Sequence, residues 1–165
     1  MLIAIISDIH DNLINLKKCL SWCNKNKIKK IIFCGDLTTS ETAAFLAANF
    51  SGNIFITKGN AEIYFENDLK SFQNIIYCHE TETVKIENIK IGICHEPEKI
   101  KLLLKKQPHN PDFIFYGHTH KPWIAQEGGT IIANPGNLSN TFHQATFATL
   151  NTADKKLKLK ILADL

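Results

Sequence analysis

The stretch FYGHTHKP places two imidazoles, His118 and His120, one residue apart behind Gly117. Neutral imidazole is the commonest protein metal ligand. The pair alone admits three readings: chelation of one ion, service to two ions, or an ordinary surface turn. Other residues of the same chemical kind recur along the chain. Asp8 and His10 lie in SDIH, Asp36 in CGDL, Asn60 in TKGN and His95 in CHEP. Any one of them alone would read as a helix cap or a turn former.

Their placement changes that reading. Each group sits just beyond the last apolar residues of a predicted strand, and ligands of open α/β sheets bind at that carboxyl edge. Asp8, His10, Asp36, Asn60, His95, His118 and His120 are therefore expected to converge. Seven oxygen and nitrogen donors exceed one tetrahedral ion and suit two. Two ions roughly 3.5–4 Å apart need a bridging group, which a carboxylate supplies. Such a pair clamps phosphate and lowers the pKa of a shared water to near 7. Mixed nitrogen and oxygen donors without thiolate point to Mn, Fe, Co, Ni or Zn rather than Mg or Ca. Cys94, next to His95, should face the other side of its strand and is not counted.

The elements that must position these residues alternate. LIAIIS (Leu2–Ser7), KIIFC (Lys30–Cys34), NIFITK and DFIFYG are apolar runs expected of buried strands. Between the first three lie predicted helices. One carries Leu13, Leu16, Leu20 and Cys23 at helical spacing; the other runs through SETAAFLAANF with Ser40 as its cap. This β-α-β-α-β order implies a parallel sheet with crossover helices. Farther on, TVKIENIKIGIC reads as a hairpin around Glu87–Asn88 and PEKIKLLLKKQ as a helix with Pro97 in its first turn. PWIAQEGGTIIANPG turns at Gly128–Gly129, and ATFATLNTADKKLKLKIL makes a third hairpin. No linker or repeat divides the 165 residues, so a single domain over 1–165 is expected, with two packed sheets and helices outside.

Composition narrows the class. An apolar content of 44% with 21% charged residues is that of an ordinary globular chain. Asp8 and His10 interrupt the apolar amino terminus too early for a secretory signal, and no run reaches the roughly 20 residues of a membrane helix. The five cysteines read as reduced, buried thiols of a cytoplasmic protein, and a metal pair at Cys19 and Cys23 is disfavoured. All 19 basic residues are lysine, so the guanidinium forks that grip phosphate or guanine are absent and nucleic acid is not the expected partner. The dense NKNKIKK stretch reads as a solvated helix end.

At these residues the chain resembles the calcineurin-like metallophosphoesterases, specifically the small YfcE-type phosphodiesterases. Asp8–His10 matches the D-x-H motif, Gly35–Asp36 the G-D motif, Gly59–Asn60 the G-N motif, and Gly117–His120 the G-H-T-H motif. His95 matches the histidine after the inner strand, and Asn134–Gly136 resembles the N-P-G-S loop. The resemblance implies an α/β fold, a four-layer α-β-β-α sandwich of two mixed sheets flanked by helices. It implies a metal-dependent phosphodiesterase that hydrolyses a small phosphate ester with metal-bound hydroxide at a binuclear centre, Mn being the expected ion. Asp8, His10, Asp36 and His120 would hold the first ion; Asp36, Asn60, His95 and His118 the second, with Asp36 bridging. Asp36, Asn60 and His95 would thereby take part in catalysis, Asn60 by orienting the phosphate.

Several positions depart from the family pattern. Ala61 stands where larger relatives carry a histidine that protonates the leaving group. Glu96-Pro97 replaces Gly-His, so Glu96 either repels phosphate or caps the next helix. Asp11 replaces a glycine and Asn137 a serine, which alters the expected substrate-facing surroundings. His79 and His109 are expected at the surface, while His143 could approach the site after the N-P-G loop. A rival reading is a catalytically weak or inactive interaction scaffold of the same fold, as in a eukaryotic retromer subunit. The sequence leaves the natural substrate and any homo-oligomer undecided.

Overall fold

The structure, a computed structural model, describes residues 1–105 and 110–165. Among the described residues eleven strands form two sheets. The first sheet orders β11-β10-β1-β2-β3-β4, comprising Lys156–Ile161, Thr146–Asn151, Leu2–Ile6, Lys30–Phe33, Asn53–Ile56 and Ile75–Tyr77. Within it β1 to β4 run parallel, while β10 is antiparallel to β1 and to β11. The second sheet orders β5-β6-β7-β9-β8, comprising Thr81–Ile86, Ile89–Cys94, Phe113–Phe115, Thr130–Asn134 and Trp123–Glu127. Here β6, β7 and β9 are parallel, with antiparallel strands at both margins.

The period of two along each strand divides the core into layers. In β1, Ala4 and Ile6 pack with Leu16, Cys19, Leu20 and Cys23 of α1 (Leu13–Lys25) and with Ala43 and Leu46 of α2 (Ser40–Asn49). Ile3 and Ile5 face the other way, against Ile91, Ile93, Phe113 and Phe115 of the second sheet. Leu103 of α4 (Ile100–Lys105) covers the far face on Cys94, Ile114 and Ile132. The result is helix, sheet, sheet, helix: the two mixed β-sheets with flanking helices that the resemblance implied. Cys94 belongs to this outer layer, on the side of its strand away from the site. All five cysteines are free and buried, and burial pushes the Cys34 and Cys94 thiols upward.

Three local expectations change. Thr39, not Ser40, caps α2, its hydroxyl accepting from Thr42 N at 3.3 Å, while Ser40 is the first helical residue. The helix after Pro97 begins as a 3-10 turn over Pro97–Lys99 before α4, and its expected end falls outside the described residues. The short α3 (Glu66–Lys70) and β4 were not anticipated, because five and three residues are too few to show a period.

The inner layer should dominate stability. Phe113 and Phe115 stack at 5.8 Å on the face between the sheets, both fully buried. Phe115→Ala is expected to lower the unfolding free energy by about 3–5 kcal/mol. Urea denaturation checks this through a lower midpoint at unchanged slope.

Candidate metal centre

The parallel strands β1, β2, β3, β6 and β7 all end at one edge, and the seven donor residues follow those ends. Contacts link them continuously. His118 Nδ1 lies 2.8 Å and His95 Nε2 2.9 Å from Asn60 Oδ1. His95 Nε2 is 3.3 Å from Asp36 Oδ2, which is 3.5 Å from His10 Nε2. His10 Nε2 is 3.2 Å from His120 Nε2, itself 3.3 Å from Asp8 Oδ1. Asp8, His10 and His120 form one tight donor triad; Asp8, Asp36 and His95 form another. Sequence reasoning had not placed Asp8 beside His95.

The donor set is one that a cation completes. Cys34 O accepts from His95 Nδ1 at 2.7 Å, so in the neutral ring the Nε2 lone pair points at two oxygens, Asn60 Oδ1 and Asp36 Oδ2. Lone pairs facing one another repel unless a proton or a metal ion lies among them. A divalent ion suits these nitrogen and oxygen donors. Without one, protons take that part. Burial would lower the His95 pKa, yet its hydrogen bond to Asp36 and the charge of that carboxylate raise it overall. The hydrogen bond to Asp8, opposed by burial, raises His120 as well. Burial alone would raise Asp36, but the His95 contact and the Ala61 N–H lower it.

Holding these groups together requires unusual backbone. Asp8, His10, Asp36, His118 and His120 all have φ between 44° and 67°, the left-handed region. Such a conformation costs about 1–2 kcal/mol per residue outside glycine, although Asp and His tolerate it better than most. GHTH is therefore a pair of left-handed bends. Gly117 is needed for close approach: a Cβ there would lie 2.0 Å from Ser7 Oγ and 2.8 Å from Asp8 Oδ2.

Glu62, which sequence reasoning missed, ties two of these loops. Its Oε1 accepts from Asp36 N at 2.9 Å, Leu37 N at 3.2 Å and Gly59 N at 3.2 Å, and Oε2 from Thr38 N at 2.7 Å. The signal in the sequence was an acid three residues after Gly59, within reach of a tight loop's unpaired N–H groups. Asn134 and Asn137 hold the other side. Asn134 Nδ2 donates to Gly117 O at 2.7 Å, and Asn137 Nδ2 to His120 O at 3.0 Å. Asn137 is fully buried, so it supports the loop rather than facing substrate.

The remaining departures are also accounted for. Asp11 Oδ1 accepts from the Thr39 and Thr42 hydroxyls at 2.7 and 2.5 Å, turned toward α2. Glu96 makes no side-chain cap; it pairs with Lys99 at 2.8 Å, which lowers its pKa and partly neutralises its charge. His143 is exposed and does not line the depression of about 360 Å³ formed by His10, Asp36, Asn60, His118, His120, Thr141 and Phe142. His79 is exposed, as expected, and His109 lies outside the described residues.

Two predictions follow from this geometry. Glu62→Ala should cost about 2–4 kcal/mol of stability, since several N–H groups lose their acceptor; a loss below 0.5 kcal/mol in urea would contradict the tethering role. The second concerns pH. Raised folded pKa values for His95 and His120 mean that their protons stabilise the metal-free fold fully below the ordinary value near 6.5. That contribution disappears as pH rises through the folded values. The metal-free protein should therefore be less stable near about pH 8 than near about pH 6, and His95→Gln should flatten the difference.

Residues 1–155 match the model of the calcineurin-like phosphoesterase superfamily domain. Phosphodiesterase MJ0936 of Methanocaldococcus jannaschii is 27% identical over 139 residues, covering 82% of this chain and 83% of the relative. A solved archaeal phosphodiesterase superposes with a TM-score of 0.86 at 26% identity, covering 98% of this chain and 99% of that one. Vps29 of Entamoeba histolytica, solved as a zinc complex, superposes with a TM-score of 0.71 at 23% identity, over 96% of this chain and 90% of that one, a likeness of fold alone. With its motifs, its two-sheet sandwich and a family match over most of its length, the chain belongs to the calcineurin-like phosphoesterase superfamily.

Proposed function

We propose that this protein is a phosphodiesterase whose single domain, spanning 1–165, holds two divalent ions. Asp8, His10, Asp36 and His120 would hold one, and Asp36, Asn60, His95 and His118 the other. The observation that carries this reading is the position of Asp36. Its Oδ2 faces both halves of the cluster, 3.5 Å from His10 Nε2 and 3.3 Å from His95 Nε2. Donors drawn from both sheets support the one-domain reading. Manganese is the ion we favour, with Ni, Zn, Co and Fe as alternatives. When bound, such ions neutralise phosphate charge and make water a nucleophile near neutral pH.

The chain's own groups have separate tasks. The Cys34 carbonyl fixes the His95 ring, and the His118 N–H, 3.1 Å from Asp8 Oδ1, orients that carboxylate. The Asn60 amide lines the depression and would orient a phosphate oxygen. Ala61 offers no proton, which favours esters with good leaving groups or protonation by water. A small phosphate ester suits the depression, and preference for a diester rests on the relatives named as phosphodiesterases. Among the described residues no helix is long and apolar enough to cross a membrane. Five buried free thiols suit a reducing compartment, and we place the protein in the cytoplasm. The scaffold reading is favoured by the fold likeness to Vps29, while retention of all seven donors speaks for catalysis.

Metal-free protein reconstituted with Mn, Ni, Co or Zn and offered bis(p-nitrophenyl) phosphate beside p-nitrophenyl phosphate tests the reading. The diester should turn over faster, and Asp36→Ala and His120→Ala should each lose more than about a hundredfold in kcat/KM. Metal analysis should find two ions per wild-type chain and fewer in His118→Ala or His120→Ala. Failure of both esters with every ion moves the scaffold reading ahead. Activity surviving both substitutions means the chemistry lies elsewhere.

A further inference from the structure

Four strands end the two sheets, and three of them are poor templates for pairing. β4 has three residues, β5 carries Glu82 and Lys85, and β11 carries Lys156, Lys158 and Lys160 at alternate positions. Lysine on an edge strand opposes edge-to-edge association. β8 differs. Between Pro122 and Gln126 it has no charged residue, all its residues are exposed, and Trp123 and Ile124 are 56% and 60% accessible. Beside it, Ile124, Ala148, Leu157 and Leu159 help to line a largely apolar cavity of about 370 Å³ on the open flank of the sandwich.

The backbone of β8 is ready to pair. Gly128 and Gly129, with φ of 54° and 88°, make a two-residue turn of the I′ type between Glu127 and Thr130. In such a hairpin the flanking residues exchange their hydrogen bonds, and the pattern alternates along the ladder. Glu127, Ala125 and Trp123 thus bond inward to β9, which leaves the N–H and C=O groups of Ile124 and Gln126 directed off the sheet.

We propose that β8 is the contact through which two copies of this chain associate, antiparallel about a two-fold axis at Ile124. This register is self-complementary. Ile124 meets the partner's Ile124 beside the apolar cavity, and Trp123 lies across from the partner's Ala125, a large ring over a small side chain. Gln126 donates its N–H to the carbonyl of the partner's Pro122, whose missing N–H removes only one bond on each side. Lys121 falls opposite the partner's Glu127, and the axis repeats that pair. Among the described residues neither has an ion-pair partner; the Lys121 ammonium lies 5.6 Å from the centre of the Trp123 ring, on the side of the strand that Glu127 shares. The outcome is one continuous sheet through both copies, with the two metal centres left open at the strand ends.

Sedimentation velocity of the 165-residue chain tests the proposal, with circular dichroism confirming that each variant is folded. The wild type should sediment at twice the mass of one chain. Ile124→Lys should give monomer. Glu127→Lys places lysines opposite each other at both ends and should raise the dissociation constant about tenfold, and adding Lys121→Glu should restore it. A wild-type monomer at about 100 µM, or a dimer unaffected by Ile124→Lys, would overturn the proposal. So would a charge swap no better than Glu127→Lys alone. None of these readouts depends on catalysis, so they stand apart from the phosphodiesterase assay.

Discussion

Donor atoms that repel one another are held in a chain of contacts from 2.8 to 3.5 Å at the edge of two sheets, and much of the molecule serves to keep them there. Asp8 and Asp36 are almost fully buried, and burying an unpaired carboxylate costs several kcal/mol. The cost is met by fixed partners. Ala61 N donates to Asp36 at 2.8 Å, His118 N donates to Asp8, and Cys34 O aligns the ring of His95. These atoms come from loops after different strands, so the cluster exists only while both sheets are in register.

The same constraint explains the backbone. Left-handed residues are tolerated where surrounding bonds over-determine them. Asp8 N bonds Gly35 O, Ile9 N and His10 N both bond Asp36 O, and Ser139 N bonds Asp8 O. Each strained residue is thereby pinned by a neighbouring loop. The rigid layers behind, filled by Ile3, Ile5, Ile32, Phe113 and Phe115, supply the burial that offsets the strain. The left-handed residues among the donors lie at the strand ends, where their side chains turn back over the edge.

Departures from the family pattern turn out to be structural accommodations. Asp11 is engaged by the hydroxyls at the start of α2, Asn137 by the backbone of His120, and Glu96 by Lys99. None leaves an unpaired charge pointing at the depression. The changes that looked like altered substrate contacts in the sequence are contacts between loops. The outer flank obeys a different rule, since β11 is guarded by lysine and β8 is not.

The sequence by itself determined the burial pattern and the kinds of chemistry available. Apolar runs such as LIAII and KIIF specify buried strands, Gly128–Gly129 specifies a tight hairpin, and Asp, His and Asn fall just past strand ends. These features are local, because side-chain period and turn chemistry act over a few residues. Tertiary structure alone decided the rest. Glu62 reaches Asp36 N across 26 positions, and His118 N reaches Asp8 across 110. Such contacts depend on which strands lie side by side, so they leave no periodic trace in the chain. The short α3 and β4 exist because neighbours bury Leu69 and Ile75, not because five or three residues would hold those shapes alone. The left-handed turns of GHTH have the same origin: its histidines bend where Asp8, Asn134 and Asn137 hold them, and the four letters carry no record of those partners.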